Sequence, residues 1–270
     1  MKTTWKLALG AAALAVLLGG CARMQAEQPD AADGPVLTIG VDEEYEPYSY
    51  LNDTGELVGA DIELAQEACR RIGRTPAYQS IQWDKKDEYL ADGTIDCVWS
   101  CFTYTGREEQ YLWAGPYLYS RQIAVVRAGS EVKDLADLAG KRVAVMSSTK
   151  PEELLLTADG VTVPQADEVL SYGTLDLAFT AMRRGYVDAA AGHETAVRPL
   201  IGTMEADYRV LETPLMAVQV GVAFRKGGDA ALAAQLTDTL AEMAADGTTA
   251  EIVEQYGLDA ANVIGRESRG

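Results

Sequence analysis

The sequence predicts a mixed α/β protein built as two similar lobes. First, short apolar strands alternate with amphipathic helices from Val36 onward, the pattern of layered α/β structure. Second, a helix–Gly–two residues–Asp–strand pattern occurs twice. Gly93-Thr94-Ile95-Asp96 precedes Cys97-Val98-Trp99, and Gly185-Tyr186-Val187-Asp188 precedes Ala189-Ala190-Ala191. At the same offset the strands open onto Ser100 and Cys101 in one case and Gly192 and His193 in the other. Ligands in open α/β sheets bind beyond the carboxyl ends of strands, so both segments direct these residues to one cleft. The alternative is two unrelated βα turns that share a common pattern. Third, 270 residues with 48% hydrophobic and 24% charged composition exclude a disordered, collagen-like or polytopic membrane chain. Lys and Arg total 23 against 41 Asp and Glu, a net charge of −18, which repels a nucleic-acid backbone. A single His excludes zinc sites built on several histidines.

The chain starts with a targeting segment, residues 1–20. Lys2 and Lys6 make a basic start, and Leu7 to Gly20 is a run of apolar and Gly residues. As a helix that run measures about 21 Å, short of the roughly 30 Å hydrocarbon core, so it reads as a signal h-region. Leu18-Gly19-Gly20-Cys21 resembles a bacterial lipoprotein processing box, which implies lipidation of Cys21; an ordinary cleaved signal with an incidental Cys is the alternative. Loss of Lys2 and Lys6 takes the mature chain to 21 − 41 = −20. Residues 21–35 are expected to be a flexible tether.

The body follows in order. Val36 to Val41 is predicted as a strand. Asp61 is expected to N-cap a helix with apolar positions Ile62, Ala65, Cys69 and Ile72, closed by Gly73. Asp84 starts a shorter helix closed by Gly93. Arg142 to Met146 is a strand leading through Ser147-Ser148-Thr149 into a helix, with Thr149 and Glu152 at capping-box spacing. The chain returns through Leu215–Gln219 into the strand Val220–Phe224. A long helix then carries Leu232, Leu236, Leu240 and Met243 on one stripe, and Thr248 with Glu251 is expected to cap a last helix ending at Gly257. Two crossings between lobes make a hinge. Cys69, Cys97 and Cys101 are expected to be buried free thiols, an odd number with no second ligand pair for a metal.

From about Leu37 to Gly257 the chain resembles the extracellular solute-binding proteins of family 3, the polar amino-acid-binding group of ABC importers. The residues that carry the resemblance are Gly40-Val41-Asp42, Tyr45 to Tyr48, Gly55 to Asp61, Asp96 to Thr103, Gly106-Arg107-Glu108, Ala114 to Tyr117, Asp137 to Lys141 and Gly185 to Asp188. The resemblance implies a periplasmic-binding-protein-like fold, two α/β lobes joined by a two-stranded hinge that close on a solute. It divides the body into residues 36–118 and 217–262 for lobe 1 and 119–216 for lobe 2.

It also implies the site. Arg107 matches the residue that grips the ligand α-carboxylate with a planar fork, though it follows Thr103 one residue sooner than the common family pattern. Thr103 and Ser100 match positions that donate hydroxyl or backbone hydrogen bonds to the same carboxylate, with Cys101 beside them. Tyr45 and Trp83 match aromatics that flank the ligand side chain. Asp42 suits an ammonium or a cationic side chain, and Ser148 and Thr149 match second-lobe contacts at a helix start. His193 occupies the position where many relatives carry the Asp that pairs with the ligand ammonium, with Glu194 next in line to substitute. Tyr48, Trp99 and Phe102 are expected in the core.

The function these residues imply is a lipid-anchored, extracytoplasmic receptor that delivers a small polar solute, amino-acid-like, to an ABC permease. It is expected to be monomeric, to need no cofactor or metal, and to bind no nucleic acid. A sensory receptor component and a dehydratase-like enzyme on the same fold are the alternatives; the latter lacks a legible nucleophile–base pair.

Overall fold

The computed structural model describes residues 34–204 and 207–264. The leader at 1–20, Cys21 and all but the last two residues of the 21–35 tether lie outside the described residues.

Strand β1 (Val36–Val41) leads into a small sheet of β2 (Glu44–Tyr45), β3 (Ser49–Leu51) and β4 (Leu57–Val58), then α1 (Ala60–Arg71), β5 (Thr75–Ser80), α2 (Lys86–Asp92) and β6 (Cys97–Val98). A long strand, β7 (Leu112–Arg127), precedes β8 (Arg142–Met146), α3 (Lys150–Leu156), β9 (Glu168–Tyr172), α4 (Leu175–Arg183), β10 (Ala189–His193) and α5 (Glu194–Thr203). The chain finishes with β11 (Tyr208–Val210), β12 (Met216–Phe224), α6 (Ala230–Ala245), α7 (Thr248–Gln255) and α8 (Ala260–Val263).

The large sheet runs β5-β1-β6-β12-β7-β10-β8-β9, with β11 on β7. Its two ends mirror each other. On one side β1 is parallel to β5 and β6; on the other β8 is parallel to β9 and β10. Between them β12 and β7 form an antiparallel ribbon from Met216↔Gln122 to Phe224↔Leu112, with a bulge between Val220 and Val222.

The ribbon also divides the apolar interior. Ala114, Tyr117 and Leu118 of β7 pack with β1, α1, α6 and α7, whereas Ile123 to Val126 pack with β8, β10, α3 and α4. The expected stripe Leu232, Leu236, Leu240 and Met243 is buried in the first core, where each side chain contributes about 1.5–3 kcal/mol of transfer free energy.

The repeated Asp does the same job twice. Asp96 donates its N–H to the Thr38 carbonyl (2.8 Å) and accepts the Thr38 N–H on its carboxylate (2.7 Å). Asp188 makes the same exchange with Arg142, at 2.9 Å in each direction. Each Asp therefore fixes the start of a parallel neighbour strand, β1 or β8, and so sets how far that strand's far end reaches toward the other half.

Three expected helix caps differ. Asp61 does not cap α1: the N-cap is Gly59, at φ 136°, where a Cβ would lie 2.2 Å from the Tyr48 carbonyl oxygen. The Asp61 side chain is instead fully buried, accepting from the Cys101 N–H (2.6 Å) and the Tyr117 hydroxyl (2.8 Å). At α3 the Thr149 hydroxyl donates to the Met146 carbonyl, and Glu152 accepts from the Ser148 N–H (2.6 Å). At α7 the N-cap is Gly247, and the Thr248 hydroxyl accepts from Arg71 instead. Cys69, Cys97 and Cys101 are free and buried. No helix among the described residues is long and apolar enough to cross a membrane.

Candidate ligand-binding site

Four strands of the large sheet end at one cavity. Past β1 stands Asp42, past β6 Ser100 to Thr103, past β8 Thr149 to Pro151, and at the end of β10 Gly192 and His193. The empty space between these residues, open mouth included, is about 440 Å³. Asp42, Tyr45, Trp83, Ser100, Cys101, Thr103, Arg107, Thr149 and His193 all line it. Ser148 and Glu194 do not.

Backbone strain marks both rims. Cys101 (φ 47°) and Ser148 (φ 58°) are the non-glycine residues with positive φ among those described, and each follows a strand end. Such conformations cost of order 1–3 kcal/mol and persist where surrounding bonds impose them. Here the bonds are visible: Asp61 holds the Cys101 N–H, and Glu152 holds the Ser148 N–H. Ser148 is not among the lining residues, and its carbonyl accepts from Lys86 Nζ at 3.4 Å.

Glu194 opens α5 on the other side of the strand end. Arg121 grips it with two bonds of 2.6 Å, and Arg198, one helical turn on, adds a third of 2.8 Å. Those guanidiniums outweigh burial and hold its carboxyl below the usual range. The side chain is thus committed and does not reach the cavity, which leaves His193 alone at that position.

His193 is 2% exposed, and burial pushes its pKa down to about 4, so it is neutral at physiological pH. One ring nitrogen faces the Thr195 hydroxyl at 3.3 Å; Nε2 has no partner among the described residues. Thr195 also bonds the Tyr48 hydroxyl, whose ring meets His193 edge-on at 6.2 Å. Tyr48 is therefore core, as expected, yet it links the two halves. Asp42 is held mainly by burial at a pKa of about 6, opposed by the Glu44 N–H at 3.0 Å.

Arg107 is 7% exposed, its guanidinium 5.3 Å above the Phe102 ring and 3.1 Å from Glu153 of α3. Glu153 also binds Lys150 Nζ at 2.6 Å. Phe102 is buried as expected but lines the cavity as well. Gly192 lines it as expected; Lys150, Gln122, Met146, Pro151, Leu175 and Ala191 line it without having been anticipated. For Lys150 a signal existed: a cation in a helix's first turn opposes the helix dipole, so it needs a partner.

Trp83 Nε1, Gln122 Oε1 and His193 Nε2 are buried without hydrogen-bond partners, and all three residues line this cavity. Buried polar atoms are rarely left unpaired, and three of the seven such atoms among the described residues belong to this cavity's lining, where they are open to a polar molecule. The arrangement offers a guanidinium, a carboxylate and neutral donors and acceptors around an aromatic wall. No group of three or more potential metal ligands exists among the described residues.

The sequence model of the bacterial extracellular solute-binding proteins, family 3, matches residues 37–259. The L-cystine-binding protein TcyJ of Escherichia coli (strain K12) is 30% identical over 228 residues, 83% of each chain. The histidine-binding periplasmic protein of Salmonella typhimurium is 31% identical over 229 residues, 82% of this chain and 86% of that one. A crystal structure of Tv2483 bound to L-arginine superposes with a TM-score of 0.74 at 31% identity, covering 82% of this chain and 90% of the other.

Proposed function

The chain belongs to the bacterial extracellular solute-binding proteins, family 3, and from that membership we propose that it captures an amino acid for an ABC uptake transporter. As its homologues are, it is a solute-binding protein and not an enzyme. The observation that carries the amino-acid reading is the shared cavity of Arg107, Asp42 and three unpaired polar atoms. In this reading Arg107 receives the α-carboxylate with help from Ser100, Cys101 and Thr103, and Asp42 receives the ammonium. Tyr45 and Trp83 flank the side chain, and Thr149 with the Ser148 backbone contributes from the far rim. His193 takes the neutral role left by Glu194.

The halves proposed to close are residues 36–118 with 217–262 and residues 119–216, hinged on β7 and β12. Lys86–Ser148, Arg107–Glu153 and Tyr48–Thr195 already span them, as a closing cleft requires. Lipid anchoring through Cys21 and delivery to a membrane permease complete the proposal. Retention of the full chain by membranes, lost in Cys21→Ser, checks the anchor.

The decisive experiment for the function is native mass spectrometry of the purified protein for co-purifying ligand, followed by calorimetry with the common amino acids and cystine. Saturable binding of an amino acid at one site per chain is expected. Absence of binding across the panel overturns the proposal.

A further inference from the structure

We infer that the site selects amino acids whose side chain carries no positive charge, and that Lys150 is the residue that excludes the cationic ones. This rests on the amino-acid reading above and narrows it.

The charges at the cavity carry the inference. Its lining holds two cations, Arg107 and Lys150, and a single carboxylate, Asp42. A third cation, Lys86, is buried against the wall, 5.1 Å from the Trp83 ring centre and 5.6 Å from that of Phe102. Glu153, at the margin, already bonds both Lys150 and Arg107. Other carboxylates near the rims are engaged elsewhere: Asp61 with Cys101 and Tyr117, Glu152 with Ser148 and Ser171, Glu194 with Arg121 and Arg198.

A zwitterion with an uncharged side chain fits this set. Its carboxylate takes Arg107, its ammonium takes Asp42, and Glu153 remains with Lys150. A cationic amino acid brings two positive groups to one lining carboxylate, in a cavity whose lining also holds Lys150, 4% exposed and bonded to Glu153. Nor does it find a carboxylate at His193, which is neutral. Uncompensated charge in a buried site is strongly penalised. Side chains with neutral polar groups instead find the unpaired atoms of Trp83, Gln122 and His193.

The test compares arginine with citrulline, near-isosteres that differ in side-chain charge, alongside lysine, glutamine, glutamate and cystine, by calorimetry on the full chain. The same panel is run on Lys150→Gln and Lys150→Met, with thermal melts to confirm folding. Neutral or acidic ligands are expected to bind at least about tenfold more tightly than arginine and lysine. In the folded Lys150 variant that ratio is expected to fall about tenfold or more, because Glu153 is released to meet a cation. Arginine or lysine binding as tightly as the neutral ligands overturns the inference while leaving the amino-acid reading intact. Unchanged discrimination in a folded Lys150 variant overturns the role of that residue. If no amino acid binds at all, both the inference and the function on which it rests fall.

Discussion

Replacing Arg107 with Ala is expected to weaken ligand binding by about 5- to 1,000-fold. Arg107 is nearly fully enclosed and lies over Phe102, so a carboxylate paired with it is shielded from water. Truncating one member of a buried charged pair costs about 2–5 kcal/mol. In the free protein the guanidinium contacts Glu153, whose side chain is 37% exposed, and the ligand must displace that contact. A pair with so much solvent access contributes at most about 1 kcal/mol, which offsets the loss by that much and leaves a net of about 1–4 kcal/mol. Arg107→Lys keeps the charge without the planar fork and should fall between Ala and wild type. The assay is calorimetry with the ligand retained in purification, beside thermal melts showing that the variants fold. An affinity for Arg107→Ala within about threefold of wild type would refute the carboxylate clamp.

Two pH dependences follow from the buried carboxyls. Ligand binding should require ionised Asp42, whose pKa of about 6 in the free protein is set chiefly by burial. Affinity should therefore be flat above pH 6 and fall toward about tenfold per unit below it, and Asp42→Asn should abolish the dependence. His193, near 4, stays neutral across that window. Asp61 is raised by burial to about 7, above its unfolded value near 3.9. The native state then binds more protons than the unfolded one between about pH 4 and 7, so this group lowers stability as pH rises through that range. Glu67 and Asp246, both near 2, act oppositely but only at lower pH. Asp42, near 6, adds to this at the lower end, so urea unfolding between pH 5 and 7 should show a downward slope that Asp61→Asn reduces by about 1 kcal/mol per unit; equal slopes in the two proteins would count against it.

Which features the sequence could reveal depended on how local their causes were. The two Gly-x-x-Asp patterns were visible because the same short spacing sets each strand start, and both Asp residues proved to clamp a neighbour strand. The amphipathic stripe of α6 was visible for the same reason. Asp61 was misread because its partners, Cys101 and Tyr117, lie 40 and 56 positions away, and at short range an Asp before an apolar run looks like a cap. Glu194 carried a local warning, Arg198 one turn on, but its stronger partner Arg121 is 73 positions back. Lys150 was passed over because a lysine beside a helix start is ordinarily solvated. Only the sheet, by bringing Arg107 to the same Glu153, turns it inward.

The divided interior has a consequence for how the molecule is assembled. The core on α1, α6 and α7 uses residues from Leu37 to Leu118 and again from Val220 to Val263, whereas Ile123 to Leu215 supply the cores on β8 and β10. The first core is thus made from both ends of the body and the others from its middle. Pairing Cys97 with Phe224 across 224 − 97 = 127 positions closes a loop whose entropy cost grows to about 4 kcal/mol plus a constant in a flexible chain. If the middle segment condenses first, it brings β7 and β12 side by side, and most of that loop is already closed. The order of folding expected is therefore inside out along the chain: residues 119–216 first, then the two flanks drawn together over them. A chain that appears N-terminus first must hold β1, α1 and β6 unfinished until β12 and the helices after it arrive.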